Sequence, residues 1–409
     1  MRFFFSIVLT LGFLQPLFAQ HTCGTVEYTR NYFTPVLPEP VFSRGNERDT
    51  VPNEIITIPV VIHLLYKSAE QNISDEQLLS QLDVLNRDFR RMNADAVNTP
   101  EAFRSVAADT RIMFCLAKVA PDGRPTSGII RKFTGKDFFL LDDKMKYSAA
   151  GGDNAWDAKK YLNIWVCSLF GRNLGYATIP GGPADKDGVV INYDVFGNKG
   201  FVRPPFNKGR TATHEIGHWL GLKHLWGDMN CGDDDVTDTP RQLSYNFGCP
   251  TFPHVTGCSL TSNGDMFMNY MDFSDDACMN AFTYGQKMKM RALFALNGLK
   301  NSFLNSYVCD SSLSSGGPVP VDTMPVIKPV PGIRFFPNPV LSDLNIVPVN
   351  EYDLKGKECL VYSMEGQLLL KKTLSSNKEK LNLSNLAAGI YIIKIGSGAE
   401  KRIAKITKL

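Results

Sequence analysis

The chain has 409 residues, of which 44% are hydrophobic, enough to bury more than one core, so two folded units with appendages are expected. A formal charge of +3 without a dense basic tract argues against a nucleic-acid partner. Nine cysteines fit an oxidising destination, and the odd count leaves at least one sulfur for a task other than a bridge.

Residues 1–19 read as a signal peptide: Arg2, an apolar run over residues 3–14, then Leu17, Phe18 and Ala19 before a cut. That run is too short to span a bilayer, and no later one is longer, so the mature protein is expected to have no transmembrane segment and to be secreted or held at the cell surface. Residues 20–49 form a polar, proline-punctuated leader in which Cys23 precedes Gly24. Residues 55–65, IITIPVVIHLL, are apolar and β-branched enough for a buried strand, with His63 a hydrogen-bonded strand histidine. Leu78, Leu82, Leu85 and Phe89 mark one face of the helix that follows. Residues 112–117 and 161–169 are further strands, carrying Cys115 and Cys167, which could pair or remain buried thiols.

Residues 213–226, THEIGHWLGLKHLW, hold three of the six histidines within eleven positions. On a helix His214 and His218 project from one face a turn apart, the reach of two ligands on one metal. Glu215 is turned away from ligation yet close enough to touch a metal-bound water, which suits a general base. Gly221 can adopt the left-handed conformation that ends a helix and lets His224 return as a third ligand. Three neutral imidazoles leave a tetrahedral position open, the mark of a catalytic zinc. Cys23, on a removable leader, could fill that position as a thiolate, or could be an unpaired or bridged leader cysteine. Beyond the motif, residues 232–240 gather Asp233, Asp234, Asp235, Asp238 and Thr239, hard oxygens of the kind calcium prefers, or else a solvated acidic loop. Cys231, Cys249, Cys258 and Cys278 frame a loop-rich region with few apolar residues, where staples are expected in one of three connectivities.

HEIGHWLGLKH and the later NYMDFSDDACMNAFTYGQKMKM, residues 269–290, resemble the extended zinc signature and Met-turn of the pappalysin family of metzincin metalloendopeptidases. The resemblance implies an α+β zinc peptidase domain, residues 50–310, with a mixed sheet above and a loop-rich half below, acting on proteins and peptides. It makes Met271 the Met-turn methionine beneath the imidazoles and Cys23 the zinc ligand of a latent zymogen. It also implies calcium in the acidic region and the pairs Cys231–Cys258 and Cys249–Cys278. The strand nearest the cleft becomes DGVVINYD, residues 187–194, whose edge could hold an extended peptide. Asp275 and Asp276 become candidates for a pocket preferring Arg or Lys just after the scissile bond, or else a hydrogen-bonded turn. That preference would make Arg44 and Arg48 self-cleavage points. Where relatives carry a tyrosine that stabilises the oxyanion, this chain has Phe273. A phenyl ring donates no hydrogen bond, so a zinc-stabilised binding or adhesion module with little turnover is the competing reading.

A helix over residues 286–299 should close this unit, and the Ser, Gly and Pro content of residues 311–330 marks a linker. From residue 331 to 409 six short apolar strands separated by turns suggest a small all-β, Ig-like sandwich. FFPNPV, VYSMEGQLL and LAAGIYIIKI with a basic terminus resemble the C-terminal sorting domain of type IX secretion cargo, which implies that secretion machinery as a partner.

Overall fold

A computed structural model describes residues 22–33, 54–259, 261–306, 308–309, 332–336, 340–349, 353–363, 367–396 and 402–408. The expected signal peptide, the self-cleavage points at Arg44 and Arg48 and the linker lie outside them. The chain divides into two compact units near residue 315, with the short segments Tyr66–Ser74 and Phe133–Gly135 grouping with the second.

The first unit begins with a short helix of the leader, α1 (Thr25–Tyr32). The apolar run near residue 55 then forms β1 (Ile56–Tyr66), almost wholly buried. Helix α2 (Asp75–Phe89) and the single turn α3 (Glu101–Arg104) come next. Five further strands follow: β2 (Ile112–Leu116), β3 (Ile129–Phe133), β4 (Leu162–Cys167), β5 (Gly175–Ala177) and β6 (Val189–Asn192). The sheet runs β2-β1-β4-β6-β5, with β3 also pairing β1. Parallel pairs join β1 to β2 and β4, and β4 to β6, while β5 runs antiparallel to β6. The strand over residues 187–194 is therefore internal. The edge expected of it belongs to β5, whose three residues Gly-Tyr-Ala are too short and too weakly patterned to read as a strand.

Helix α4 (Arg210–Trp219) has every residue buried and lies against β5, β6 and α2. Side chains of α2 anchor its start. Gln81 donates to the carbonyl of Gly209 at 2.9 Å, Asp88 accepts from the Thr213 hydroxyl at 2.8 Å, and Arg210 pairs with Asp88 at 2.9 Å. Helix α5 (Tyr284–Ala292) opens with a capping box between Thr283 and Gln286 and stops well short of residue 299. Asn297 at φ 69° and the following Gly298 turn the chain back, so that the Lys300 amide donates to the Leu293 carbonyl. His63 is buried with Asp153 at 2.7 Å and Asn163 at 3.0 Å, a satisfied strand histidine.

Disulfides join Cys231 to Cys258 and Cys249 to Cys278, and a third joins Cys115 to Cys309 across 194 positions. Cys115 thus leaves Cys167 as a buried thiol rather than its partner.

The second unit is all β. Strands β7 (Gly332–Phe336), β8 (Asp343–Val349), β9 (Glu358–Tyr362), β10 (Leu368–Thr373), β11 (Glu379–Asn382), β12 (Gly389–Ile395) and β13 (Arg402–Lys408) form two antiparallel sheets, β10-β9-β12-β13 and β11-β8-β7. Alternate residues such as Leu344, Ile346, Val361, Leu381, Ile393 and Ile406 meet in one core, as a sandwich requires. The unexpected seventh strand is β11, whose sequence EKLN hides its two buried positions, Glu379 and Leu381, among polar neighbours.

Candidate metal centre

The helix carrying His214 and His218 ends as its sequence demands. Leu220 follows the last helical residue, and Gly221 adopts φ 86°. The Gly221 amide donates to the His218 carbonyl at 2.9 Å and the Leu222 amide to the Gly217 carbonyl at 3.0 Å, the paired bonds of a Schellman turn. That turn brings His224 back to the first two histidines. The three Nε2 atoms lie 3.0 to 3.2 Å from one another, and all three side chains are buried.

The Nδ1 atoms decide what this cluster can hold. His214 Nδ1 donates to the Tyr270 carbonyl at 2.7 Å, His218 Nδ1 to the Leu222 carbonyl at 2.8 Å, and His224 Nδ1 to the Asp228 carboxylate. With each proton fixed on Nδ1, three Nε2 lone pairs face one point. They repel one another unless a cation sits among them. Bonds of about 2.0–2.1 Å to a tetrahedral zinc would set nitrogens about 3.3 Å apart, close to the spacing seen.

Cys23 supplies a fourth donor. Its Sγ and the three imidazole nitrogens all lie within 4.8 Å of one another, and no other such cluster of His, Cys, Asp and Glu occurs among the described residues. The leader reaches this point along the edge of β5. The Leu174 amide donates to the Thr22 carbonyl at 3.0 Å and the Gly24 amide to the Gly175 carbonyl at 2.8 Å, a parallel addition to the sheet. A Cβ at Gly24 would lie 2.9 Å from a methyl carbon of Leu141 and 3.4 Å from the Tyr176 Cβ on β5.

Glu215 lies beside the cluster, fully buried. Its Oε2 accepts from the Thr25 hydroxyl at 2.9 Å and from the Cys23 thiol at 3.4 Å, while Oε1 has no hydrogen-bond partner. Burial pushes the carboxyl up to about 8 against the pull of those two donors. Burial first, and then the Glu215 charge, also hold the Cys23 thiol well above its usual range.

Met271 packs where the motif leaves room for it: a Cβ at Gly217 would collide with the Met271 sulfur. Phe273 stands beside the cluster, its ring 5.7 Å from that of His214 and 4.9 Å from that of His224. Asp276 departs from its expected place in a substrate pocket. It is fully buried, and its Oδ2 accepts from the amides of Lys208 at 2.7 Å and Arg210 at 3.3 Å, capping the start of α4. Asp275 is only half-buried.

In the acidic loop the carboxylates take separate partners. Asp233 pairs with Arg241 at 2.8 Å, Asp235 with Lys223 at 2.6 Å, and Asp238 accepts from Thr283 and the Gly285 amide. Within the loop, Asp234 accepts from the Thr239 hydroxyl at 2.8 Å and Asp233 from the Asp235 amide at 2.8 Å.

Sequence reasoning passed over Thr25, Gly217 and Asp228. Only Asp228 left a signal, a carboxylate four residues after the third histidine.

Over residues 146–295 the sequence matches the peptidase family described as pregnancy-associated plasma protein-A, and over residues 334–408 the secretion system C-terminal sorting domain. An extracellular metalloprotease of Verticillium alfalfae is 30% identical over 280 residues, covering 66% of this chain and 88% of that one. Extracellular metalloprotease 1 of Coccidioides posadasii is 29% identical over 306 residues, covering 70% and 93%. Mature mirolysin of Tannerella forsythia, solved in complex with a cleaved peptide, is 48% identical with a TM-score of 0.62, covering 65% of this chain and 100% of that one. A promirolysin mutant from the same organism is 45% identical with a TM-score of 0.65, covering 72% and 99%.

Proposed function

Because this chain belongs to the pappalysin family of metalloendopeptidases, we propose that its three converging imidazoles hold one catalytic zinc and that Glu215 is the general base for peptide-bond hydrolysis. The protein is a secreted metalloendopeptidase carrying a C-terminal sorting domain of the type IX kind, and among the described residues no helix is long and apolar enough to cross a membrane.

The observation that carries the proposal is the fixed direction of the three Nε2 lone pairs, with a carboxylate oxygen left unpartnered beside them. Zinc bound there would polarise a peptide carbonyl and lower the pKa of water to about 7. Glu215 removes the proton from the attacking water and delivers it to the amine as the C–N bond breaks. Met271 floors the cluster against Gly217, and the acceptors on the three Nδ1 atoms keep the rings from turning.

Substrate preference rests on Asp275, since Asp276 is committed to α4. Digestion of a peptide library by the matured protein tests both readings. Cleavage is expected to stop with 1,10-phenanthroline, to return with added zinc, and to favour Arg or Lys just after the cut. Chelator-resistant cleavage would refute the zinc reading, and cuts indifferent to that position would refute the acidic pocket.

Phe273 lacks the hydroxyl that would donate to the oxyanion, yet stands beside the cluster where one would act. Phe273→Tyr is expected to raise kcat by about 10²-fold, the size of one oxyanion donor. An unchanged kcat would show that another group serves.

A further inference from the structure

The leader grips the first unit at a second place, five residues past Cys23. Tyr28 of α1 is only 1% exposed. Its hydroxyl donates to Asp143 Oδ2 at 2.8 Å, and its ring centroid lies 4.8 Å from that of Tyr176. The Tyr176 hydroxyl donates to the other oxygen of Asp143 at 2.9 Å. Lys146, fully buried, pairs with Asp143 at 2.9 Å and faces the Tyr28 ring at 5.1 Å, so one ammonium answers both the carboxylate and the ring. Met145 and Trp165 close the apolar sides.

Packing alone does not account for this slot. A ring without a hydroxyl would leave Asp143 Oδ2 with Lys186 at 3.3 Å as its remaining partner, and a buried carboxylate oxygen that loses a donor is costly. An apolar body with a polar tip is what the slot fits, and that is a phenol. Its residues are separate from the imidazoles, which the leader approaches through Cys23, while Thr25 engages Glu215.

We propose that the slot formed by Asp143, Lys146 and Tyr176 is a tyrosine-binding site that secures the leader independently of Cys23. This rests on residues 22–33 being an inhibitory leader, so the test separates the two. The full-length chain is compared with Cys23→Ala, Tyr28→Phe, Tyr28→Ala and the double variant Cys23→Ala/Tyr28→Ala. Hydrogen exchange of the leader amides and cleavage of a reporter peptide are both followed.

In Cys23→Ala the residue-28 amide, which donates to the Gly24 carbonyl at 2.8 Å, stays protected. Tyr28→Phe speeds leader exchange about tenfold, the usual consequence of losing one charge-assisted bond, and Tyr28→Ala speeds it further. The double variant exchanges fastest and cleaves most. In Tyr28→Ala, p-cresol raises the Tm and toluene at the same concentration raises it less.

Leader exchange in both Tyr28 variants equal to the parent, with Cys23→Ala alone freeing the segment, would overturn the slot and leave the inhibitory reading standing. Equal Tm responses to p-cresol and toluene would overturn it as well. A double variant whose leader exchanges freely but whose activity does not rise would instead overturn the inhibitory reading, while the exchange rates still judge the slot.

Discussion

Glu215→Gln in the matured enzyme is expected to lower kcat by about 10²- to 10⁴-fold, the range that a positioned general base contributes, with metal content unchanged. The substitution keeps the shape of the side chain and an oxygen in the place of Oε2. It removes the capacity to take up a proton. None of the three imidazoles is altered, and their Nδ1 partners are the carbonyls of Tyr270 and Leu222 and the carboxylate of Asp228, so the cluster should persist. Measuring zinc content and kcat on the same preparation separates loss of the base from loss of the metal. A zinc-loaded Glu215→Gln enzyme with parental kcat would show that the proton goes elsewhere.

Cys23→Ala in the full-length precursor should release activity before any processing, by at least about tenfold, the change given by some 1.4 kcal/mol of lost latch energy. In the parent, the leader lies against both the histidine cluster and Glu215. The Cys23 sulfur lies within 4.8 Å of the histidine nitrogens, and the Thr25 hydroxyl, itself accepting from the Ala177 amide at 2.9 Å, donates to the Glu215 oxygen at 2.9 Å. The leader backbone meanwhile covers the edge of β5 where an extended substrate would add. Removing the sulfur leaves those other contacts, so the variant should remain less active than the matured enzyme. The check is cleavage of a reporter peptide by precursor whose leader is shown intact by mass. A Cys23→Ala precursor as silent as the parent would refute the latch.

The parts of the site written in consecutive residues were legible before any fold was known. His214, His218, Gly221 and His224 lie within eleven positions, and helix geometry with one left-handed glycine is enough to bring them together. What escaped depends on partners far along the chain. Asp276 reads as either a pocket acid or part of a hydrogen-bonded turn until the start of α4 is placed beside it, where the amides of Lys208 and Arg210 claim it. The partners of the acidic loop, Arg241, Lys223 and the start of α5, were likewise not to be read from spacing. Nor could spacing join Cys115 to Cys309, 194 positions apart, or reveal an edge strand of three residues. In the second unit, alternation exposed the strong strands and missed β11, where charged and polar residues flank the buried Leu381.

Zinc content of the purified, matured protein tests the account most directly. One zinc per chain is expected, falling to near zero in His218→Ala, whose remaining two imidazoles no longer close the cluster. A matured protein without stoichiometric metal, or one whose metal survives the loss of His218 in full, would contradict the assignment of these three histidines as the catalytic centre.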